Sequence, residues 1–153
     1  MKKLILFCFA AFCSMSIFSS PLLAASTDAS AKILEVFHRN FPEITNRSIY
    51  NMGDAYMIFF KNDENNSSGR IYYDNDGNVL ETIRYYSGTE LSPFIRTKVN
   101  SKYKGKDIFM VTDVANDTEH FYQIILEDAN TLMVVDADDS GSIHLEKKYK
   151  KSK

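Results

Sequence analysis

Cysteine occurs only at positions 8 and 13, tryptophan is absent, and no apolar run is long enough to span a bilayer unbroken. Both cysteines fall in a segment ordered like a secretory signal. Lys2 and Lys3 precede "LILFCFAAFCSMSIF", and Pro21 and the small residues Ala24 and Ala25 follow. Cleavage is expected after Ala25. The apolar run is short for a membrane span and is broken by Ser14 and Ser16, and Ser19 and Ser20 follow it closely. Phe12, directly before Cys13, is too large for a lipid-attachment motif. The remaining chain of about 128 residues then has no thiol, so an ordinary hydrophobic core must hold it together without disulfides. Basic excess is also missing. Removing the signal takes two of the 18 basic residues and none of the 20 acidic ones, leaving a net charge of −4. A general nucleic-acid binder is normally basic, so that class is excluded. The basic tail "KKYKKSK" is short and terminal, and reads as a solvated strand end that resists edge pairing.

The usual marks of catalysis are missing too. There is no Gly-rich phosphate loop, no G-x-S-x-G, no H-E-x-x-H and no His/Cys cluster. The three histidines, His38, His120 and His144, are far apart in the chain and read as surface residues. No sequence feature pairs two carboxylates for acid–base work. The expectation is a non-enzyme without a cofactor.

What is present is an order of elements that occurs twice. Residues 28–41 carry Ile33, Phe37 and Phe41 at four-residue spacing, which predicts a helix stopped by Pro42. Residues 92–103 carry Ile95, Val99 and Tyr103, with Ser92 as candidate N-cap and Pro93 at the first helical position. A shift of 62 superposes the two stripes. Each helix precedes four strand-like segments: "RSIYNM", "AYMIFFK", "GRIYYD" and "NVLETIRYY", then "DIFMVTDVA", "HFYQIILE", "TLMVVDA" and "SIHLEKKY". The reading is α+β: two tandem helix-plus-antiparallel-meander repeats, residues 26–90 and 91–153. They form one continuous sheet of about eight strands with both helices on one face.

Two turns invite a second reading as metal sites. "DNDGN" at 74–78 and "DDSGS" at 138–142 resemble the start of a calcium loop. With Gly77 at the sixth position, Tyr72 and Ile83 fall where ligands belong. With Gly141 there, Asp136, Asp138 and Ser140 fit, but Lys147 stands where a bidentate Glu is required. Both turns suit three-residue hairpin loops in which the glycine takes a left-handed conformation. Asp136, Asp138 and Ser140 stay as the metal candidates, and a calcium-dependent exported protein stays as the alternative function.

Pairing Asp74 with Asn78 and Asp138 with Ser142 assigns the sheet's two faces. Ile71, Tyr73, Val79, Ile83, Val135, Ile143 and Leu145 are expected under the helices. Arg70, Tyr72, Leu80, Thr82, Arg84, Tyr86, Val134, Asp136, His144 and Glu146 are expected on the open face. From these, Tyr72, Leu80, Arg84, Tyr86 and His144 are the candidate binding residues, because tyrosine and arginine dominate protein interfaces.

The helix ending "FHRNFPEI", the strand "YMIFFK", the hairpin "IYYDNDGNVLE", then "LSPFIRTKVNSKY", "FYQIILE" and "VVDADDSGSI" resemble the PepSY-like, β-lactamase-inhibitor-like proteins. These are small exported proteins of Bacteroidetes-type bacteria. The resemblance covers essentially all of the chain after the signal. It implies two helix-plus-sheet repeats in one sheet, and a periplasmic or secreted binding or inhibitory module. The partner implied is an exported protein or peptide, and the chain is expected to be a monomer without a stable membrane span.

Overall fold

The computed structural model describes residues 22–152, with side chains from Ala29 onward. Most of the expected signal segment, with Cys8 and Cys13, lies outside the described residues. The chain runs α1 (Leu22–Asn40), β1 (Asn46–Asn51), β2 (Ala55–Asn62), β3 (Ser67–Asp74), β4 (Val79–Tyr86), α2 (Pro93–Lys102), β5 (Asp107–Asn116), β6 (His120–Glu127), β7 (Thr131–Asp138) and β8 (Ile143–Lys150). The eight strands form one antiparallel sheet in sequential order. Short hairpin connections favour that order, because each strand finds its neighbour locally.

α1 begins six residues before its expected start at Asp28, so the expected cleavage position at Ala25 falls within it. Among the described residues no helix is long and apolar enough to cross a membrane. α2 starts at Pro93, which needs no amide hydrogen there, but Ser92 makes no side-chain cap bond. Its carbonyl instead accepts the Arg96 N–H at 2.9 Å, the ordinary helical bond.

One row of paired residues crosses the whole sheet: Arg47, Phe60, Gly69, Arg84, Asp113, Tyr122, Ala137 and Ile143. Paired residues point to the same side, so this row defines one face. Phe60 belongs to the core under α1, and Tyr122, Ala137 and Ile143 belong to the core under α2. Both helices therefore cover the same face. The interior is split into two clusters. The first joins Ile33 and Phe37 of α1 to Ile58, Phe60, Ile71 and Tyr73. The second joins Ile95 and Val99 of α2 to Val111, Ile124, Leu126 and Val135, and draws Tyr86 in from β4.

Both expected hairpins form. Gly77 and Gly141 take φ of +89° and +81°. Asp74 N–H donates to Asn78 O at 2.9 Å, and Asp138 N–H to Ser142 O at 3.1 Å. Beyond the first turn the sequence expectation fails. Tyr73 pairs with Val79 as expected, but Tyr72 pairs with Glu81, leaving Leu80 as an extra residue in a bulge. Strand side chains alternate, so one extra residue sends all that follow to the other face. Ile83 and Tyr85 thus lie on the open face, and Thr82, Arg84 and Tyr86 on the helix face. The second hairpin has its extra residue later: Val135 pairs with Leu145 but Val134 with Lys147, so Glu146 is bulged out. Leu145 keeps its expected side yet remains 49% exposed, because it sits on the edge strand.

Candidate functional site

The uncovered face can be read row by row from the strand register. One row runs Tyr50, Met57, Tyr72 and Glu81. The next runs Ser48, Phe59, Arg70, Ile83, Val114 and Phe121. A third carries Lys61, Ser68, Tyr85, Thr112, Gln123, Asp136 and His144. Apolar and aromatic groups thus extend across β1 to β6 without a helix above them. Tyr50 is 48% exposed and Phe59 36% exposed. Arg70 Nη2 donates to Tyr85 Oη at 2.6 Å, and its guanidinium lies 5.6 Å from the Tyr85 ring centre. That contact stiffens two long side chains in the middle of the face, which lowers the ordering cost of any contact they make. A cleft of about 430 Å³ between the β2–β3 loop and the start of β5 adjoins Ser68, Tyr85 and Met110.

Of the five candidate binding residues, Tyr72 and His144 lie on this face. Leu80 is exposed in the bulge. Arg84 and Tyr86 do not belong to it. Tyr86 is only 6% exposed, packed in the second core, and Arg84 lies 5.2 Å over its ring on the helix face. The bulge at Leu80 is the cause, and it puts Tyr85 and Ile83 where Tyr86 and Thr82 were expected.

The metal candidates are engaged in the turn itself. Asp138 Oδ1 accepts Ser142 N–H at 2.9 Å and Ser140 Oγ–H at 2.6 Å, and these bonds hold its carboxyl below the usual range. Asp74 accepts the amides of Asp76 and Asn78 at 2.9 and 2.8 Å, and its carboxyl is lowered chiefly by Asn78. Asp136 faces Gln123 Nε2 at 3.4 Å. Among the described residues no group of three or more His, Cys, Asp or Glu side chains is placed to hold a metal ion.

A second polar cluster, unforeseen in the sequence, lies on the helix face beside Tyr86 and Tyr122 of the second core. His120 Nε2 is 2.9 Å from Asp113 Oδ1, and its Nδ1 is 2.9 Å from Asp139 Oδ2. Tyr86 Oη donates to Asp113 Oδ2 at 3.1 Å, and Tyr122 Oη to Asp139 Oδ1 at 3.1 Å. Burial opposes charge on His120, but its bonds to Asp113 and Asp139 outweigh it and raise the imidazole above its ordinary value. Burial, assisted by Asp139, pushes the Tyr122 hydroxyl up to about 12. A sequence signal existed. In "VTDVA" the alternation puts Asp113 on the side of buried Val111, and an inward carboxylate requires a donor.

The chain matches no protein-family model, and no curated protein matches it. Solved structures do match. A BLIP-like protein from Bacteroides fragilis superposes with a TM-score of 0.54 at 17% identity, over 78% of this chain and 84% of that one. A DUF2874 family protein from Bacteroides ovatus gives 0.53 at 15% identity, over 77% and 84%. A Bacteroides eggerthii protein of proposed periplasmic location gives 0.53 at 9% identity, over 77% and 86%. The fold is the one these BLIP-like and DUF2874 proteins share.

Proposed function

We propose that this chain is an exported, non-catalytic binding or inhibitory module, built of two PepSY-like repeats, whose open sheet face engages another protein. One observation carries the reading. Tyr50, Met57, Phe59, Tyr72, Ile83 and Tyr85 form a helix-free apolar and aromatic surface over β1 to β4. Tyrosine beside aliphatic and arginine side chains is the composition that anchors protein interfaces. Export is supported by the Lys2–Ala25 pattern and by the fold shared with a protein of proposed periplasmic location. An inhibitory role draws on the BLIP-like neighbour, and the target remains a matter for experiment, since one fold serves many functions.

The test compares capture from periplasmic extract by the wild type, by Tyr72→Ala/Tyr85→Ala, and by Lys32→Ala on the exposed side of α1. The reading expects a partner retained by wild type and Lys32→Ala and lost by the double variant. A partner retained equally by all three removes this face as the interface.

A further inference from the structure

The contacts of His120 make a demand that its neutral form cannot meet. A neutral imidazole carries one N–H and one lone pair, whereas an imidazolium carries two N–H groups. Each ring nitrogen of His120 lies 2.9 Å from a carboxylate oxygen. Carboxylates accept and do not donate, so only the imidazolium satisfies both contacts. The surroundings come from several elements. Asp113 is on β5, Tyr122 is on β6 with its ring centre 4.8 Å from that of His120, and Asp139 is in the β7–β8 turn. From β4, Tyr86 bonds Asp113, and Arg84 lies over the Tyr86 ring. Lys98 of α2 sits over the Phe94 ring, 5.4 Å from its centre.

We propose that Asp113, His120 and Asp139 form a proton-operated clasp that pins the β7–β8 turn to the middle of the sheet and releases it when the imidazole loses its proton. The two contacts are unequal, which decides which one opens. Asp113 has a side-chain exposure of 15% and its other oxygen is held by Tyr86, so its Oδ1 cannot turn to water and leaving it without His120 is costly. Asp139 is 62% exposed on a turn and can turn to water. The single remaining N–H therefore stays on Nε2 toward Asp113, and the Nδ1 lone pair faces Asp139 and repels it. The internal bonds of the turn, Gly141 N–H to Asp138 O and Ser142 N–H to Asp138 Oδ1, still form, but without the clasp they open more often. The hairpin persists while its tip loosens, and Asp139 keeps the bond from the Tyr122 hydroxyl. Gly141, whose Cβ position would lie 3.0 Å from Phe94 of α2, moves with it. The clasp is on the helix face and requires no partner, so it stands or falls independently of the binding reading.

Ring ¹⁵N shifts of the three histidines followed against pH, with amide exchange of residues 139–142 measured over the same range, test the clasp. The expected result is a His120 midpoint above the ordinary histidine value of about 6.5. Protection of the turn amides, corrected for intrinsic exchange, should fall across that midpoint. The fall is about tenfold per unit by which the clasped midpoint exceeds the released one. Asp139→Asn, at an exposed turn position, should lower the His120 midpoint and flatten the pH dependence of turn protection. A His120 midpoint at or below the ordinary histidine value, turn protection unchanged across it, or an Asp139→Asn midpoint equal to that of the wild type would each overturn the proposal.

Discussion

The two halves of the sheet share an order of elements and differ in what fills them. Under α1 the core is aromatic: Phe37, Phe41 and Phe60 lie with ring centres 5.2 to 6.1 Å apart. Gly69 makes room for that packing, because a Cβ there would fall 2.6 Å from Phe60 Cζ and 2.7 Å from Ile83 O. Under α2 the core is largely aliphatic, with Ile95, Val99, Val111, Ile124, Leu126 and Val135. Gly77 and Gly141 define an offset of 64, which carries Asp74 to Asp138 and Asn78 to Ser142. The same offset places Ile49, Tyr56 and Asn75 where the second half has Asp113, His120 and Asp139. Turn chemistry is reused and the polar clasp is not. A hairpin turn needs only local partners, whereas a clasp needs residues from two strands and a distant turn to suit one another.

Removing core side chains should show the largest effects, and should show whether the halves unfold together. Phe37→Ala is expected to cost about 3–5 kcal/mol and Ile95→Ala about 2–5 kcal/mol. The β4–β5 ladder, from Glu81 paired with Asn116 to Tyr86 paired with Val111, joins the halves continuously. Urea unfolding followed by circular dichroism and by tyrosine fluorescence should therefore give coincident single transitions in both variants. Separate transitions would mean that the two cores are independent units.

The turns come next. Gly77→Ala and Gly141→Ala each force a side chain into the left-handed region, at about 1–2 kcal/mol. Gly141→Ala should cost the more, because its Cβ would meet the Phe94 ring at 3.0 Å, against 3.3 Å to Val36 Cγ2 at Gly77. Equal losses in thermal melts would show that Phe94 yields freely.

The pH profile should separate the halves more finely. The raised His120 value means that its contribution is fully present below the unfolded histidine range. It is lost as pH rises through the folded midpoint. The lowered Asp74 and Asp138 act oppositely: their contribution is present above the unfolded carboxylate range and is lost as pH falls through their folded values. Melting temperature should decline on both limbs, and His120→Gln should remove the loss near neutrality while leaving the acid limb. A near-neutral loss surviving in His120→Gln would assign that limb to another group.

Asp76→Asn should be nearly silent, since asparagine serves the same turn position and Lys32 is a distant 3.9 Å partner on an exposed surface. Melts with and without chelator check this. A loss seen only in the presence of calcium would restore a metal role to the first turn.

Much of the architecture was legible from short stretches. Pro42 and Pro93 bound the helices, and Asp74–Asn78 and Asp138–Ser142 set the turns. Runs rich in β-branched and aromatic residues, such as "HFYQIILE", marked the strands. These features depend on residues within a few positions of one another, so composition and periodicity carry them. The sides taken by Thr82, Ile83, Arg84 and Tyr86 were misread, because the bulge at Leu80 is an event between two paired strands. Nothing in "NVLETIRYY" alone says which residue the partner strand will skip. His120 read as an ordinary surface histidine for the same reason. Its partners lie 7 and 19 positions away and meet it only where β5, β6 and the β7–β8 turn converge. By itself the sequence determined the order of helices and strands, the two turns and the hydrophobic stripes, because local sterics and solvent preference act on each segment separately. The tertiary structure alone decided which tyrosines face solvent and which carboxylates meet His120, because both follow from strand register, and register is set by packing across the whole sheet.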